Sequence, residues 1–189
     1  MGEVDWTRRL HDQLDWHWQV AARPRLEGLT DEEYHWEPVA GCWGVRARSE
    51  GTPPDAPGSG GWTPDIAFPE PVPAPVTTIA WRLAHVVVGI FGIRSVSHLG
   101  ASFPWGTGYQ DWRYAGTAAE ALEQLDTTYG AWRDGVAALD QQALATPVGE
   151  AEGDFAEHPM AELVLHINRE AVHHLAEVAL LRDLYLRRS

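Results

Sequence analysis

Apolar residues recur at spacings of three and four along four long segments of this chain, and no segment sustains an apolar–polar alternation bounded by hairpin turns. That contrast predicts an all-α fold. The first segment runs from about Asp5 to Glu27, with Leu10, Leu14, Trp18 and Ala21 or Ala22 on one stripe. Thr30 with Glu33 makes a capping-box pattern for a short turn ending before Pro38. A second helix starts near Pro75 or Thr77 and carries Trp81, His85, Val88 and Ile93 to about Leu99, apolar on nearly every side. A third opens at Thr117, with Glu120 completing another capping box, and ends near Leu139. The fourth has Pro159 in its first turn and closes on Arg182, Arg187 and Arg188. Four helices of this length make a four-helix bundle, expected as a single domain over residues 1–189.

The links differ in character. From Ala40 to Pro75 the chain reads as a long irregular surface loop, because eight of its thirteen prolines lie between Pro53 and Pro75 together with Gly51, Gly58, Gly60 and Gly61. This Pro/Gly-rich loop between helices one and two is long enough to cross the bundle. Asp140 to His158 is loop-like as well.

Charge narrows the function classes. With 14 basic residues, all Arg, against 27 acidic ones, the net charge is -13, which disfavours nucleic acid and anionic membrane as partners. The apolar run Leu83–Ile93 is interrupted by His85 and bounded by Arg82 and Arg94, so no transmembrane helix is expected. Asp5, Arg8, Arg9, Asp12 and Asp15 leave no room for a secretory signal near the start. A lone cysteine, Cys42, excludes an intrachain disulfide framework and a cysteine-rich zinc site. The expected compartment is the cytoplasm.

One feature of the fourth helix demands a chemical reason. At 100° per residue, His166, Glu170, His173, His174 and Glu177 share one arc roughly 100° wide. Leucine, valine, isoleucine and alanine occupy the other directions, so the helix is expected to be buried, and buried imidazoles need partners. A divalent metal is one solution: Glu170 and His174 stand at i, i+4, and His85 on helix two has no polar neighbour in sequence. The trio offers two nitrogens and one oxygen, a set suited to zinc, and equally to nickel, iron or manganese, with an open coordination position. The alternative is that His85 is an ordinary core histidine. Glu170-x-x-His173 is also the helix motif of di-iron carboxylate bundles, but that motif must occur twice, and its other match, Glu32 to His35, lies in the short turn. His173, His166 and Glu177 are therefore read as groups that orient the ligands or substitute for one.

The sequence resembles the DinB-like superfamily, whose members are also described as YfiT-like metalloenzymes. The resemblance lies in Gly28–Tyr34 followed by Trp36-Glu37-Pro38, in Ile79-Ala80-Trp81-Arg82-Leu83-Ala84-His85, and in His166–Glu170 running into His173–Glu177. It implies a four-helix bundle with a divalent metal held by one His of the second helix and an H-x-x-x-H pair of the last; His85 and His174 match those ends, while Glu170 stands where His is usual. A His, Glu, His set is similar to the metal-binding domain of mycothiol-dependent maleylpyruvate isomerase, whose extra domain finds no counterpart before Ser189. The resemblance thus implies metal activation of a low-molecular-weight, mycothiol-like thiol toward a small electrophile, and a homodimer. A non-catalytic bundle that binds or senses a metal or small ligand is the alternative.

Other residues carry weaker signals. Cys42 lacks an evident neighbouring base, and Gly58–Gly61 lacks the context of a phosphate loop. Trp16, His17, Trp18, Trp36 and Trp43 are either core or cavity wall, and Trp105 and Trp112 either loop anchors or a dimer contact. Arg82 and Arg169 either grip a carboxylate of the thiol or form surface ion pairs.

Overall fold

The computed structural model describes residues 4–188. Four long rods dominate it, and short capped pieces fill the links. α1 (Trp6–His17) continues as a π-helical turn, Trp18–Ala22, and starts on Asp5, whose carboxylate accepts from the Arg8 amide. α2 is the short turn Asp31–Tyr34, capped by Thr30 as the sequence predicts. The second rod is α3 (Ile79–Ala84), a π-helical stretch His85–Gly92, and α4 (Ile93–Leu99), ending at left-handed Gly100. α5 (Ala118–Ala137) starts on Thr117, and its Glu120 reaches back to the Gly116 amide at 3.0 Å. α6 (Gln141–Ala145) precedes α7 (Met160–Tyr185). Pro159 stands at the N-cap of α7, one position before the expected first turn, where its missing N–H is not needed.

Both α1 and the rod 79–99 touch α5 and α7, so each rod has two neighbours and the core lies between them. Leu83, Val86, Val87, Ile90 and Phe91 from the second rod fill that core with Leu125, Trp132, Val164, Ile167 and Val178. Polar ties fix the packing. Asn168 donates to the Leu10 carbonyl at 2.9 Å, and Tyr129 donates to Asp15 at 2.7 Å while its ring stacks on Trp18. Arg182 grips both oxygens of Glu33 at 2.7 and 3.1 Å and donates to the Glu27 carbonyl, pinning the α2 turn to the end of α7.

Three expectations change. The segment 40–75 is not only irregular coil: β1 (Val45–Ala47) pairs antiparallel with β2 (Trp62–Pro64), and the amide and carbonyl of Trp43 pair with Val76 and Thr78. The loop is thereby folded onto the start of α3. Helix Ile79–Leu99, 21 residues, is long and apolar enough to cross a membrane, because its two histidines and two arginines do not offset its valines and isoleucines. Its apolar surface is spent on the core, most of it being buried. Finally, α7 is not buried on all sides. Leu165 and Leu180 are 57% and 60% exposed, since two neighbouring rods cover only part of a helix surface.

Candidate metal centre

The π-helical stretch of the second rod begins at His85, one turn after Trp81, and the two rings stack with centroids 5.5 Å apart. π-turns widen a helix locally and occur often at functional sites. Across from them, α7 presents His174, whose ring meets that of His85 edge to face at 4.8 Å. Positions 85 and 174 are thus brought together. One turn back on α7, Glu170 Oε2 lies 3.5 Å from His174 Nε2. Of the polar stripe, His174 alone is buried; Glu170, Glu177 and His166 sit at the boundary, and the His173 side chain is 64% exposed.

The two nitrogens of His174 have different partners. Nδ1 lies 2.7 Å from Glu177 Oε2, and the same carboxylate is held by Arg82 Nε at 3.1 Å. Arg82 Nη1 also lies 3.3 Å from Nδ1, but the shorter contact is to Glu177, and a proton on Nδ1 satisfies that carboxylate and leaves the Nε2 lone pair directed toward Glu170. Glu170 is braced on its other oxygen by Arg169 Nε at 3.2 Å, and Arg169 also reaches His166 Nδ1 at 2.6 Å. Arg82 is thus ion-paired at the partly buried edge of the site, whereas the Arg169 side chain is exposed and its contact with Glu170 is a surface ion pair. His166 and Glu177 stand around the candidate ligands, as does His173, whose Nε2 is 3.5 Å from Glu177 Oε1.

Charge states follow from these surroundings. Burial pushes His85 down to about 4, and repulsion from His174 and Arg82 adds to it against the opposing pull of Glu170. His85 is neutral at physiological pH. Burial raises Glu170, but the Arg169 hydrogen bond and the nearby His166 and His174 outweigh it, so its carboxyl lies below the usual range. The result is a neutral imidazole and a carboxylate on either side of the His174 ring.

These donors suit a divalent cation that takes nitrogen and oxygen ligands. Among the described residues the partly buried His85 has no hydrogen-bond partner, so its ring nitrogens are free to take a ligand. A different group is drawn closer: one donor atom each of His173, His174 and Glu177 lie within 4.8 Å of one another. That group can hold a metal ion, and it shares His174 with the trio read from the sequence.

Several side chains lie elsewhere than the metal cavity. Trp18 stacks on Tyr129, Trp16 is exposed and Trp36 packs edge to face on Tyr185. His17 has a buried Nε2 without a partner among the described residues. Trp105 and Trp112 are buried anchors of the link between α4 and α5, and Cys42 is buried with its thiol on the Val39 carbonyl. Trp43 does reach the site: with Trp81, Tyr109 and Tyr114 it lines a cavity of about 310 Å³ that opens on His85. Sequence spacing gave no sign of Tyr109, because a loop brings it there.

A family model described as the DinB superfamily matches residues 13–178. No curated protein and no solved structure matches the chain.

Proposed function

Since the chain belongs to the DinB superfamily, we propose that it is a divalent-metal-dependent enzyme that activates a low-molecular-weight, mycothiol-like thiol for transfer to, or isomerisation of, a small electrophile. His85, Glu170 and His174 hold the ion, with zinc the first choice. The observation that carries this reading is the partly buried imidazole of His85 edge to face with the buried His174, whose Nε2 faces Glu170 at 3.5 Å. When bound, the cation supplies Lewis acidity that lowers the pKa of a thiol reaching the open position.

The protein side chains have separate tasks. Glu177, anchored by Arg82, orients the His174 ring and fixes its tautomer. Arg169 keeps Glu170 ionised and aimed inward. Burial keeps the His85 lone pair unprotonated. Together they supply one negative charge to a doubly charged ion, and the remaining positive charge favours a thiolate over a thiol.

The closeness of His173, His174 and Glu177 supports a second ligand set on α7 alone. Metal titration of variants separates the two: His85→Ala abolishes tight binding under the first reading and spares it under the second, while His173→Ala does the opposite. Turnover is tested by incubating zinc-loaded protein with a thiol and a model electrophile. Consumption of both that disappears in His174→Ala supports catalysis; metal binding without turnover across thiols supports a sensor.

A further inference from the structure

The cavity beside His85 has a composition of its own. Its walls include the rings of Trp43, Tyr109 and Tyr114, and no arginine lines it. Trp81 is stacked on His85 and donates from its indole to the Asp65 carbonyl at 2.8 Å, so it is a fixed wall. Two carboxylates face the space. Asp65 is tied to Arg46 Nε at 2.9 Å and to the Gly44 amide, whereas Glu70 makes no close ion pair among the described residues and acts on Arg82 only from farther away. At about 310 Å³ the cavity falls at the small end of small-molecule sites.

Tyr109 gives it a polar handle. A Cβ on Gly89 would stand 2.5 Å from the Tyr109 hydroxyl and 3.3 Å from His85 Nδ1. The absent side chain of Gly89 is therefore what admits the phenol beside the imidazole. Tyr109 comes from the link between α4 and α5, which Trp112 fixes through its indole N–H to Gln124 at 3.0 Å; the Tyr114 hydroxyl in turn donates to the Tyr109 carbonyl. Among the described residues the Tyr109 hydroxyl itself has no partner. It is a donor held ready in an aromatic chamber.

We infer that this chamber binds a small uncharged aromatic molecule, with the Tyr109 hydroxyl donating to an acceptor on it. Glu70 and the absence of a lining arginine disfavour an anion. The ion proposed beside His85 disfavours a cation in the metal-loaded protein. The ring faces favour a flat π-system over a saturated one, by an amount comparable with an aromatic pair. The inference builds on the proposed function, for which it names the class of the electrophilic substrate, but the cavity and its donor exist without an ion.

The test uses benzamide as probe, with benzoate, benzylamine and cyclohexanecarboxamide as its anionic, cationic and saturated counterparts. Binding is followed by calorimetry and ligand-observed NMR on the full chain, once chelator-treated and once zinc-loaded. Benzamide is expected to bind in both forms, at least about threefold more tightly than benzoate and cyclohexanecarboxamide in both and than benzylamine in the zinc-loaded form, on the scale of one aromatic contact. Tyr109→Phe and Gly89→Ala should each weaken it about fivefold, the effect of one lost hydrogen bond, with unchanged circular dichroism. Gly89→Ala reaches the hydroxyl from the helix side and is mild, because the atom it displaces is the tip of a side chain. Equal or tighter binding of benzoate or cyclohexanecarboxamide in either form, or of benzylamine in the zinc-loaded form, overturns the assignment, as does undiminished binding in both variants or absence of benzamide binding. Failure of zinc binding with benzamide binding intact would count against the metal proposal alone.

Discussion

At the scale of single residues, the site depends on keeping His85 neutral and His174 in one tautomer. The His85 pKa of about 4, against 6.5 in an exposed state, means that the unfolded chain binds more protons than the folded one between those values. Stability of the metal-free protein is therefore full above about pH 6.5 and falls as pH drops toward 4, by up to roughly 3 kcal/mol from this group. His17, lowered by burial, contributes in the same direction. Urea midpoints measured across pH 4 to 7 should show this slope, shallower in His85→Phe. Glu177→Gln should weaken metal binding by roughly 10- to 100-fold without removing it, since the residue holds a ligand rather than the ion. Competition with a chelator of known affinity measures the change. The helix-four half of this arrangement was legible in the sequence, because i, i+4 spacing places Glu170 and His174 together on any helix. The role of Arg82 was not: its approach to Glu177 depends on how two rods 92 positions apart face each other at His174.

Among the elements, the most exposed weakness is the pair that joins the α2 turn to α7. Glu33 is 3% exposed and both its oxygens rest on Arg182. Arg182→Met strands a buried carboxylate and should cost about 3–5 kcal/mol, read from chemical denaturation. The double variant Arg182→Met with Glu33→Leu should recover part of that loss, because no charge is then left unpaired. Elements with a strong period were readable from residues alone: the Thr30, Thr117 and Asp5 caps and the rods they open lie close to their expected positions. The β1–β2 pair was hidden because three-residue strands are too short to show alternation, and their register depends on Trp43 docking against Val76 and Thr78. The exposed flank at Leu165 and Leu180 was hidden for a different reason. Composition shows that α7 is apolar on most sides, whereas the number of rods around it decides how much of that surface is covered.

For the whole molecule, a net charge of -13 sets the long-range field. Like charges in one fold repel, so thermal stability should rise with added salt up to about 0.15 M, where the screening length shrinks to roughly 8 Å. Duplex DNA should show no measurable binding at 50 mM salt, a condition that favours nonspecific complexes of basic proteins. Differential scanning calorimetry and fluorescence anisotropy check the two statements. Within that acidic surface, the three side chains from two rods are the feature on which function is proposed to rest. Diffraction from zinc-loaded crystals, with an anomalous difference map at the zinc edge, tests that claim most directly. The account predicts one strong peak at roughly 2.0–2.2 Å from a nitrogen of His85, a nitrogen of His174 and an oxygen of Glu170. A peak on His173, His174 and Glu177 with His85 unengaged, or no peak between the rods, would contradict it.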